Sequence, residues 1–387
     1  MTEKQQPNPF CETLPTQLRA WDATSLRAYM ECPRRYQLSI VEGWRREGLH
    51  TQWGSLYHGA VEEYDKARCA GMNKEDALDV AFQWALENSG YYVEFDAVGD
   101  DAGPYIVKEW EPWGSAYLPF WVCTDPGPIA KSGPRKGQPM PERRCVMAKS
   151  LQEGHRPRTC PLCGAETVEK WQWVHADPAK NRQTLLRALV WYVEEQAEEG
   201  GVQPYKFPDG KPAVELSFQV PLPLTSPDGT PYILCGHIDS LTTFGEEVGI
   251  RERKTTKASI SNYYFDRYSP DVQIDTYDLV GSVLFPDLLS RWVMLEATQT
   301  AEGFARFHRH FISSTEGRRD EFLRDTLYWI TKAEADARSG YYPKNEASCY
   351  SHGGCPFREI CTKDPASRER WLEAEFIKKH WNPIAER

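Results

Sequence analysis

Residues 236–257, GHIDSLTTFGEEVGIRERKTTK, read as two strands joined by a turn, but they carry charges where a buried strand usually has aliphatic side chains. Side chains alternate along a strand, so Glu252 and Lys254 project to one side and Arg253 to the other. If the turn folds the first strand back beside the second, Asp239 reaches the same volume. A lone buried carboxylate is costly unless it is paired or bound to a metal. Two acids and one lysine in this position predict a divalent-metal site.

Composition limits the class of protein. The chain has 387 residues, of which 40% are hydrophobic, as expected for a globular protein with one large core or two smaller ones. We find no secretory signal and no apolar stretch of the ~20 residues that span a bilayer, so we expect a cytoplasmic protein without membrane contact. A net charge of −10 argues against a simple electrostatic nucleic-acid binder but leaves room for a local basic channel. The 11 cysteines favour reduced thiols and metal ligands over disulfides.

The order of elements predicts an α/β fold. Helical patterns fill the first third of the chain, and a Pro- and Gly-rich stretch with four cysteines interrupts them. A helix, three strands, a second helix and one or two strands follow, and Ser269 is the expected N-cap of the second helix. We therefore expect an N-terminal helical part, a metal-binding insertion, a catalytic core and a C-terminal cysteine cluster with its tail, at residues 1–118, 119–176, 177–338 and 339–387.

Four motifs occur in the order found in one nuclease superfamily. They are SLRAYMECPRRYQL, WGSLYHGAVEEY, the strand pair GHID and ERK, and a helix with Gln273 and Tyr277. Together they resemble the PD-(D/E)XK nuclease superfamily in its RecB-like branch, and specifically a phage-type, AddB-like iron–sulfur nuclease. The resemblance implies a restriction-endonuclease-like core, in which helices flank a central mixed sheet. Taken singly, a histidine on an apolar helix is more often a core residue and Glu-Arg-Lys on a strand more often a solvated edge.

The resemblance also implies roles for single residues. His58, Asp239 and Glu252 would bind Mg²⁺ or Mn²⁺, ions that prefer oxygen ligands, together with the backbone carbonyl of Arg253. Lys254 would orient or help to deprotonate the attacking water and stabilise charge on the phosphate. On the following helix, two residues would position the lysine or the DNA backbone, and a glutamate on the preceding strand would join the acids. These three are Gln273, Tyr277 and Glu215.

The tail CYSHGGCPFREIC places Cys349, Cys355 and Cys361 at equal gaps of five residues. Three thiolates call for a fourth ligand, and Cys32 matches the RecB-like members whose one early and three late cysteines hold a 4Fe-4S cluster that joins the chain ends. Zinc is the alternative, with His352 as a possible ligand. A further alternative is three free buried cysteines.

A second cysteine set lies in the insertion. The CPLCG sequence at Cys160 and Cys163 has the two-residue gap of a zinc knuckle, because that spacing lets both thiolates face one tetrahedral ion. Cys123 and Cys145 would complete the zinc site, and two histidines compete for these places, namely His155 and His175. The segment is too polar to bury a core, so the metal would supply much of its folding energy. Trp171 and Trp173 with nearby basic residues could contact DNA, or the site could be purely structural.

The resemblance implies a Mg²⁺- or Mn²⁺-dependent deoxyribonuclease, and we expect an exonuclease acting on single strands or duplex ends in recombination, repair or phage DNA processing. The sequence has no G-x-x-x-x-G-K-[ST] motif, so an unwinding helicase or a recombination protein would be a separate partner. Two alternatives stay open. One is a nucleic-acid-binding module without activity, and the other is a structural zinc or iron–sulfur subunit of a larger DNA-processing complex.

Overall fold

The computed structural model describes residues 8–46, 49–89, 115–123, 166–175 and 177–384. By internal contacts the chain divides into two compact units, one of residues 1–85 and 184–387 and one of residues 86–183. Across the described residues, no helix combines the length and the apolar character that crossing a membrane requires.

The strands, numbered along the chain, are β1 (Ala20–Trp21), β2 (Trp44–Arg45), β3 (Ser115–Cys123), β4 (Thr167–His175), β5 (Gln203–Pro204), β6 (Val214–Thr225), β7 (Pro231–Phe244), β8 (Glu247–Thr256), β9 (Leu289–Thr300), β10 (Ala305–Ser313) and β11 (Ile377–Lys378). The larger unit is built on a seven-stranded sheet of order β1-β7-β8-β9-β10, in which β5 and β6 also pair with β7. The β1/β7 and β8/β9 pairs are parallel and the other pairs are antiparallel. The expected central mixed sheet is confirmed.

The helices are α1 (Ala23–Glu31), α2 (Pro33–Tyr36), α3 (Leu49–Cys69), α4 (Lys74–Asn88), α5 (Arg182–Trp191), α6 (Asn262–Asp266), α7 (Val272–Leu284), α8 (Glu316–Ser339), α9 (Arg358–Thr362) and α10 (Arg368–Glu375). On one face of the sheet, α7 packs closely because Gly281 has no side chain: a Cβ there would lie 2.8 Å from Ile250 Cδ1. The opposite face is covered by α3, whose Tyr57 hydroxyl is 3.0 Å from Thr298 Oγ1. Helices thus flank the sheet on both faces, as the α/β prediction requires.

The start of α7 differs from the sequence prediction. We expected Ser269 as its N-cap, but the helix begins at Val272 and Asp271 is the N-cap. The Asp271 carboxylate accepts hydrogen bonds from the backbone amides of Gln273 and Ile274, at 2.9 and 3.2 Å. A carboxylate in this position satisfies two amides that lack helical partners, which favours the later start.

The smaller unit contains the antiparallel pair β3/β4. Their register runs from Ser115 opposite His175 to Cys123 opposite Thr167. These two strands lie at either end of the segment that carries the zinc-knuckle sequence.

A buried ionic network lies between α3 and the sheet. Arg251 and Arg253, two residues apart on β8, both pair with the carboxylate of Asp65 on α3. Arg253 Nε also lies 3.3 Å from Glu296 on β9, and Arg309 on β10 lies 2.8 Å from the same carboxylate. Arg251, Asp65 and Glu296 are each at most 1% exposed. Buried charges of this kind are stable only when each has a partner, so the network ties α3 to β8, β9 and β10.

We predict that Glu296 makes folding sensitive to acid. Burial alone would raise its pKa, but Arg251, Arg309 and Arg253 outweigh burial and lower the pKa from 4.5 to about 2. Because the folded-state pKa is depressed, the stabilisation is complete above pH ~4.5 and is lost as the pH falls through ~2; it amounts to about 3 kcal/mol. Glu296→Gln should therefore be destabilised at pH 7, and its difference from wild type in the free energy of unfolding should shrink between pH 5 and 2.

Urea denaturation at several pH values measures this difference. The control is Glu302→Gln, at an exposed position between β9 and β10, and its difference from wild type should not change with pH. A Glu296→Gln difference that stays constant from pH 5 to 2 would show that the arginines do not act on Glu296 as described.

Candidate active site

The hairpin of β7 and β8 brings the predicted acids together. The turn after Phe244 pairs Ser240 with Arg251, so the next residues outward on the opposite face are Asp239 and Glu252. Asp239 Oδ2 accepts a hydrogen bond of 2.8 Å from the backbone amide of Arg253. Glu252 and Lys254 share one face of β8, while Arg253 points into the ionic network behind it. The alternation predicted from the sequence therefore agrees with the structure.

A chain of hydrogen bonds connects β8 to α7. Lys254 Nζ donates to Glu252 Oε1 and to Gln273 Oε1, each at 2.5 Å. Gln273 Nε2 donates to Glu252 Oε1 and to the Tyr277 hydroxyl, each at 2.9 Å. Gln273 and Tyr277 lie four residues apart and thus on one helical face. Gln273 therefore orients both Glu252 and Lys254, and the Tyr277 hydroxyl orients the Gln273 amide.

The pKa of Glu252 is strongly raised. Its side chain is 2% exposed, and burial together with the charge of Asp239 raises its pKa to about 8, although Lys254 acts in the opposite direction. Its Oε2 atom is buried and accepts no hydrogen bond from any described residue. Two neighbouring carboxylates and an unsatisfied buried oxygen leave the site short of positive charge.

Lys254 is held as an ammonium ion. Burial by itself would lower its pKa, but the charge and hydrogen bond of Glu252 outweigh burial, and the pKa is raised. Its side chain keeps 22% exposure, so it reaches the open side of the site. A protonated lysine donates hydrogen bonds and balances negative charge, but it does not accept a proton.

His58 and Glu215 lie beside Asp239. His58 is on α3, and its Nδ1 is 3.8 Å from Asp239 Oδ2. Glu215 lies on β6 between Val214 and Leu216, which pair with the residues on either side of Asp239. Its φ of 49° is in the left-handed region, which costs a non-glycine residue free energy and often occurs at functional sites. The structure thus places both residues next to the acid that they were expected to accompany.

The donor atoms suit a hard divalent cation, although they are not arranged around one. In the described part of the chain, no three His, Cys, Asp or Glu side chains are grouped as a metal site. Glu252 is instead tied to Lys254 and Gln273. The carboxylate oxygens nevertheless match the preferences of Mg²⁺ and Mn²⁺, and the orphaned Oε2 of Glu252 points to a missing cationic partner.

The tail cysteines lie near Cys32. The amide of Asn345 donates to Cys32 Sγ at 3.3 Å, and Ser348 Oγ donates to the Glu31 carbonyl at 2.6 Å, so the segment before Cys349 is attached to the end of α1. Burial raises the pKa of the Cys355 and Cys361 thiols, and Cys32 raises both further. Cys349 adds to the effect on Cys355. The four sulfur atoms therefore interact electrostatically.

The insertion cysteines cannot be placed in the same way. Cys145, Cys160 and Cys163 lie outside the described residues, and so does His155. Cys123 ends β3 and His175 ends β4, at opposite ends of the strand pair by register. The predicted zinc site stays a prediction.

The residues that form one wall of the site were not predicted from the sequence. Asp239, Glu252 and Lys254 line a cleft of about 850 Å³ whose walls include Arg45 on β2 and the C-terminal residues Lys379 and Trp381. The only sequence signal was the run of basic and aromatic residues in GWRRE and KKHW. Nothing local in either run places the two segments side by side.

We predict that Glu252 weakens the metal-free fold as the pH rises. Its folded-state pKa of about 8 lies above the unfolded value of 4.5, so the folded protein holds a proton that the unfolded chain releases between these values. The free energy of unfolding in EDTA should therefore fall from pH 5 to 8, by at least about 1 kcal/mol.

Glu252→Gln should remove this fall, because an amide does not ionise. Urea denaturation in EDTA measures the effect, and Glu246→Gln, at an exposed position in the β7–β8 turn, is the control that should keep the wild-type profile. Parallel pH profiles for wild type and Glu252→Gln would contradict the prediction.

Comparison with known proteins matches one part of the chain to this superfamily. Residues 20–125 match the family model of the PD-(D/E)XK nuclease superfamily; this region contains Cys32 and His58 but ends before Asp239. The Gene 69 protein of Mycobacterium phage D29 is 23% identical over 239 residues, and the match covers 60% of this chain and 61% of the phage protein. The crystal structure of SSO0001 aligns with 14% identity and a TM-score of 0.24 over 46% of this chain and 67% of that chain. Residues 20–125 thus carry the sequence pattern of the PD-(D/E)XK nuclease superfamily.

Proposed function

We propose that this protein is a metal-dependent deoxyribonuclease that hydrolyses phosphodiester bonds at Asp239, Glu252 and Lys254. The observation that carries the proposal is the buried Glu252 carboxyl beside Asp239, with one oxygen unsatisfied within the described residues and a pKa raised to about 8. Such a pair is costly in the absence of a cation. The superfamily match of residues 20–125 supports the same activity.

The catalytic ion would be Mg²⁺ or Mn²⁺, held by Asp239, Glu252 and His58 with the backbone carbonyl of Arg253. When bound, a divalent ion makes water a better nucleophile and offsets charge on the phosphate. On this chain, the Arg253 amide orients Asp239 and the Gln273 amide orients Glu252. The two acids are therefore oriented by hydrogen bonds, and metal binding would require Glu252 to leave its contacts with Lys254 and Gln273.

Lys254 would stabilise the transition state by donating hydrogen bonds. Its raised pKa makes it a poor proton acceptor, so of the two expected roles we favour orienting the water and balancing charge on the phosphoryl oxygens. Gln273 would hold the ammonium in place through its Oε1 atom, at 2.5 Å. Tyr277 would act one step further away, by fixing the orientation of the Gln273 amide.

The finer assignment is a phage-type member of the RecB-like branch that acts as an exonuclease on single strands or duplex ends. Its pathway would be recombination, repair or phage DNA processing, in the cytoplasm or the cytoplasm of a phage host. A separate helicase or recombination protein would supply unwinding, because the sequence has no P-loop motif. The order of the motifs supports this assignment.

We expect Lys254→Ala and Asp239→Ala to lower the cleavage rate by about 100-fold or more, since each removes a charge needed at the phosphate. The assay is digestion of labelled linear, circular and single-stranded DNA with Mg²⁺, Mn²⁺ or EDTA. Lys211→Ala is a matched control, because Lys211 also pairs with a carboxylate, that of Asp209 at 3.4 Å, on the surface outside the cleft.

Both active-site variants should keep the wild-type fold, measured by circular dichroism. Wild-type rates in either variant would show that the site is assigned wrongly. If the wild-type protein cleaves none of these substrates with either ion, the protein is a binding module or a structural subunit instead.

We further propose a 4Fe-4S cluster on Cys32, Cys349, Cys355 and Cys361. Four thiols that interact electrostatically at the junction of α1 and the tail support it. They are not arranged as a ready-made metal site in the described residues, so cluster binding would require their side chains to reorient. Zinc at the same cysteines is the alternative, and a separate zinc ion is proposed for Cys123, Cys145, Cys160 and Cys163.

Protein purified without oxygen should be brown and should contain iron and acid-labile sulfide. Cys361→Ser should lose both, whereas Cys69→Ser, at the buried last residue of α3 and outside the set, should retain them. Metal analysis of the same samples counts zinc. Colourless protein with two zinc ions per chain would replace the iron–sulfur proposal with two zinc sites.

A further inference from the structure

The cleft that contains the acids is bounded on one side by the C-terminal segment. β11 pairs with β2 so that Ile377 lies opposite Arg45, and the amide of Lys379 extends the ladder by donating to the Gly43 carbonyl at 2.8 Å. Further along, Ile384 is buried against Ala20. The segment is thus attached at both ends and forms one wall of the cleft.

Side chains of this wall alternate as in a strand. Ile377, Lys379 and Trp381 line the cleft, whereas Lys378 between them does not. Arg45 lies opposite Ile377, so Arg45 and Lys379 are diagonal neighbours on the same face of the two-stranded ribbon. Diagonal neighbours are about 7–8 Å apart, so both cations lie close enough together to contact phosphates of the same strand.

Within the described ranges of the chain, six lysine and arginine side chains line the cleft. Four of them are paired with a carboxylate: Arg27 with Asp271, Arg35 with Glu31, Arg46 with Glu375 and Lys254 with Glu252. Among the described residues, Arg45 and Lys379 have no carboxylate within ion-pair distance. These two cations are therefore available for a ligand.

Arg45 is held in position without being neutralised. Its guanidinium carbon lies 5.1 Å from the centre of the Trp381 ring, and Trp381 Nε1 donates to Asp22 Oδ2 at 3.1 Å. Asp22 acts on Arg45 only at longer range, and it is already engaged as the N-cap of α1. Burial lowers the pKa of Arg45. A half-buried guanidinium oriented by an aromatic ring, with no anion in contact, has the features of an anion-binding group.

We propose that Arg45 and Lys379 form a phosphate-binding subsite that holds a nucleic-acid strand as it extends from the nuclease centre along the C-terminal wall. The proposal rests on the function proposed above and adds where the substrate lies. Phosphate contacts carry no sequence information, so the subsite favours strands of several nucleotides over very short ones without selecting a sequence.

The test is binding of a fluorescein-labelled single strand of about 12 nucleotides, measured by fluorescence anisotropy in EDTA over a range of salt concentrations. Arg45→Ala and Lys379→Ala should each weaken binding by about fivefold or more, and should lower the slope of log Kd against log salt by about 0.7 for each phosphate that the variant no longer neutralises. Arg45→Lys should restore part of the slope because it keeps the charge.

Two matched controls separate the subsite from general charge effects. Arg306 on β10 also stacks on an aromatic ring, 4.6 Å from the centre of Phe304, but lies outside the cleft. Lys378 neighbours Lys379 but is not among the residues that line the cleft, and its ammonium lies 5.1 Å from the centre of the Trp44 ring. Arg306→Ala and Lys378→Ala should bind the strand as wild type does.

Thermal unfolding of each variant shows whether loss of the Arg45 stack destabilises the fold. The exposed Lys379 gives an independent variant that should fold normally. If Lys379→Ala and Arg45→Ala bind with the wild-type affinity and salt slope, the subsite is wrong, even though wild-type cleavage would leave the nuclease proposal intact. If wild type neither binds nor cleaves the strand, both proposals fail together.

Discussion

Strand β8 carries charges on both of its faces, and the rest of the active unit is arranged around them. On one face, Arg251 and Arg253 are buried and must be neutralised, which Asp65 and Glu296 do from α3 and β9. On the other face, Glu252 and Lys254 meet Asp239. Burying an unpaired arginine would cost several kcal/mol. The strand therefore cannot be a central strand without a helix that carries an acid at the position of Asp65.

The ionic network also fixes parts of the site that it does not touch. Asp65 and His58 are seven residues apart on α3, about two turns, so they lie on similar faces of the helix. The contact that neutralises the arginines thus also determines where His58 meets Asp239. The amide of Arg253 donates to Asp239 while its side chain belongs to the network. The two faces of β8 are in this way parts of one structure.

Local patterns predicted the acid cluster, and long-range contacts explain what they missed. The period of two along β8 and the short turn after Phe244 were enough to put Asp239, Glu252 and Lys254 together, because both are local properties of the chain. The partners of Arg251 and Arg253 are far away in sequence, so no local pattern indicated them. The same holds for the pairing of β2 with β11, which places Lys379 in the cleft.

At α7, Ser269 and Asp271 are both good caps, and only the contacts of the Asp271 carboxylate decide between them.

The two-faced character of β8 restricts how this segment can change in evolution. Deleting or inserting one residue within the strand would rotate every later side chain to the opposite face. Two arginines would then enter the acid cluster, and a carboxylate and a lysine would replace them behind the sheet, so both clusters would lose their charge balance in one step. A substitution within β8 changes one side chain and leaves the other contacts of the strand in place. A change of one residue in the length of β8 alters all later contacts, and no single further substitution can compensate for it. Length variation is therefore expected in the turn before Glu247, where the strand register can absorb it.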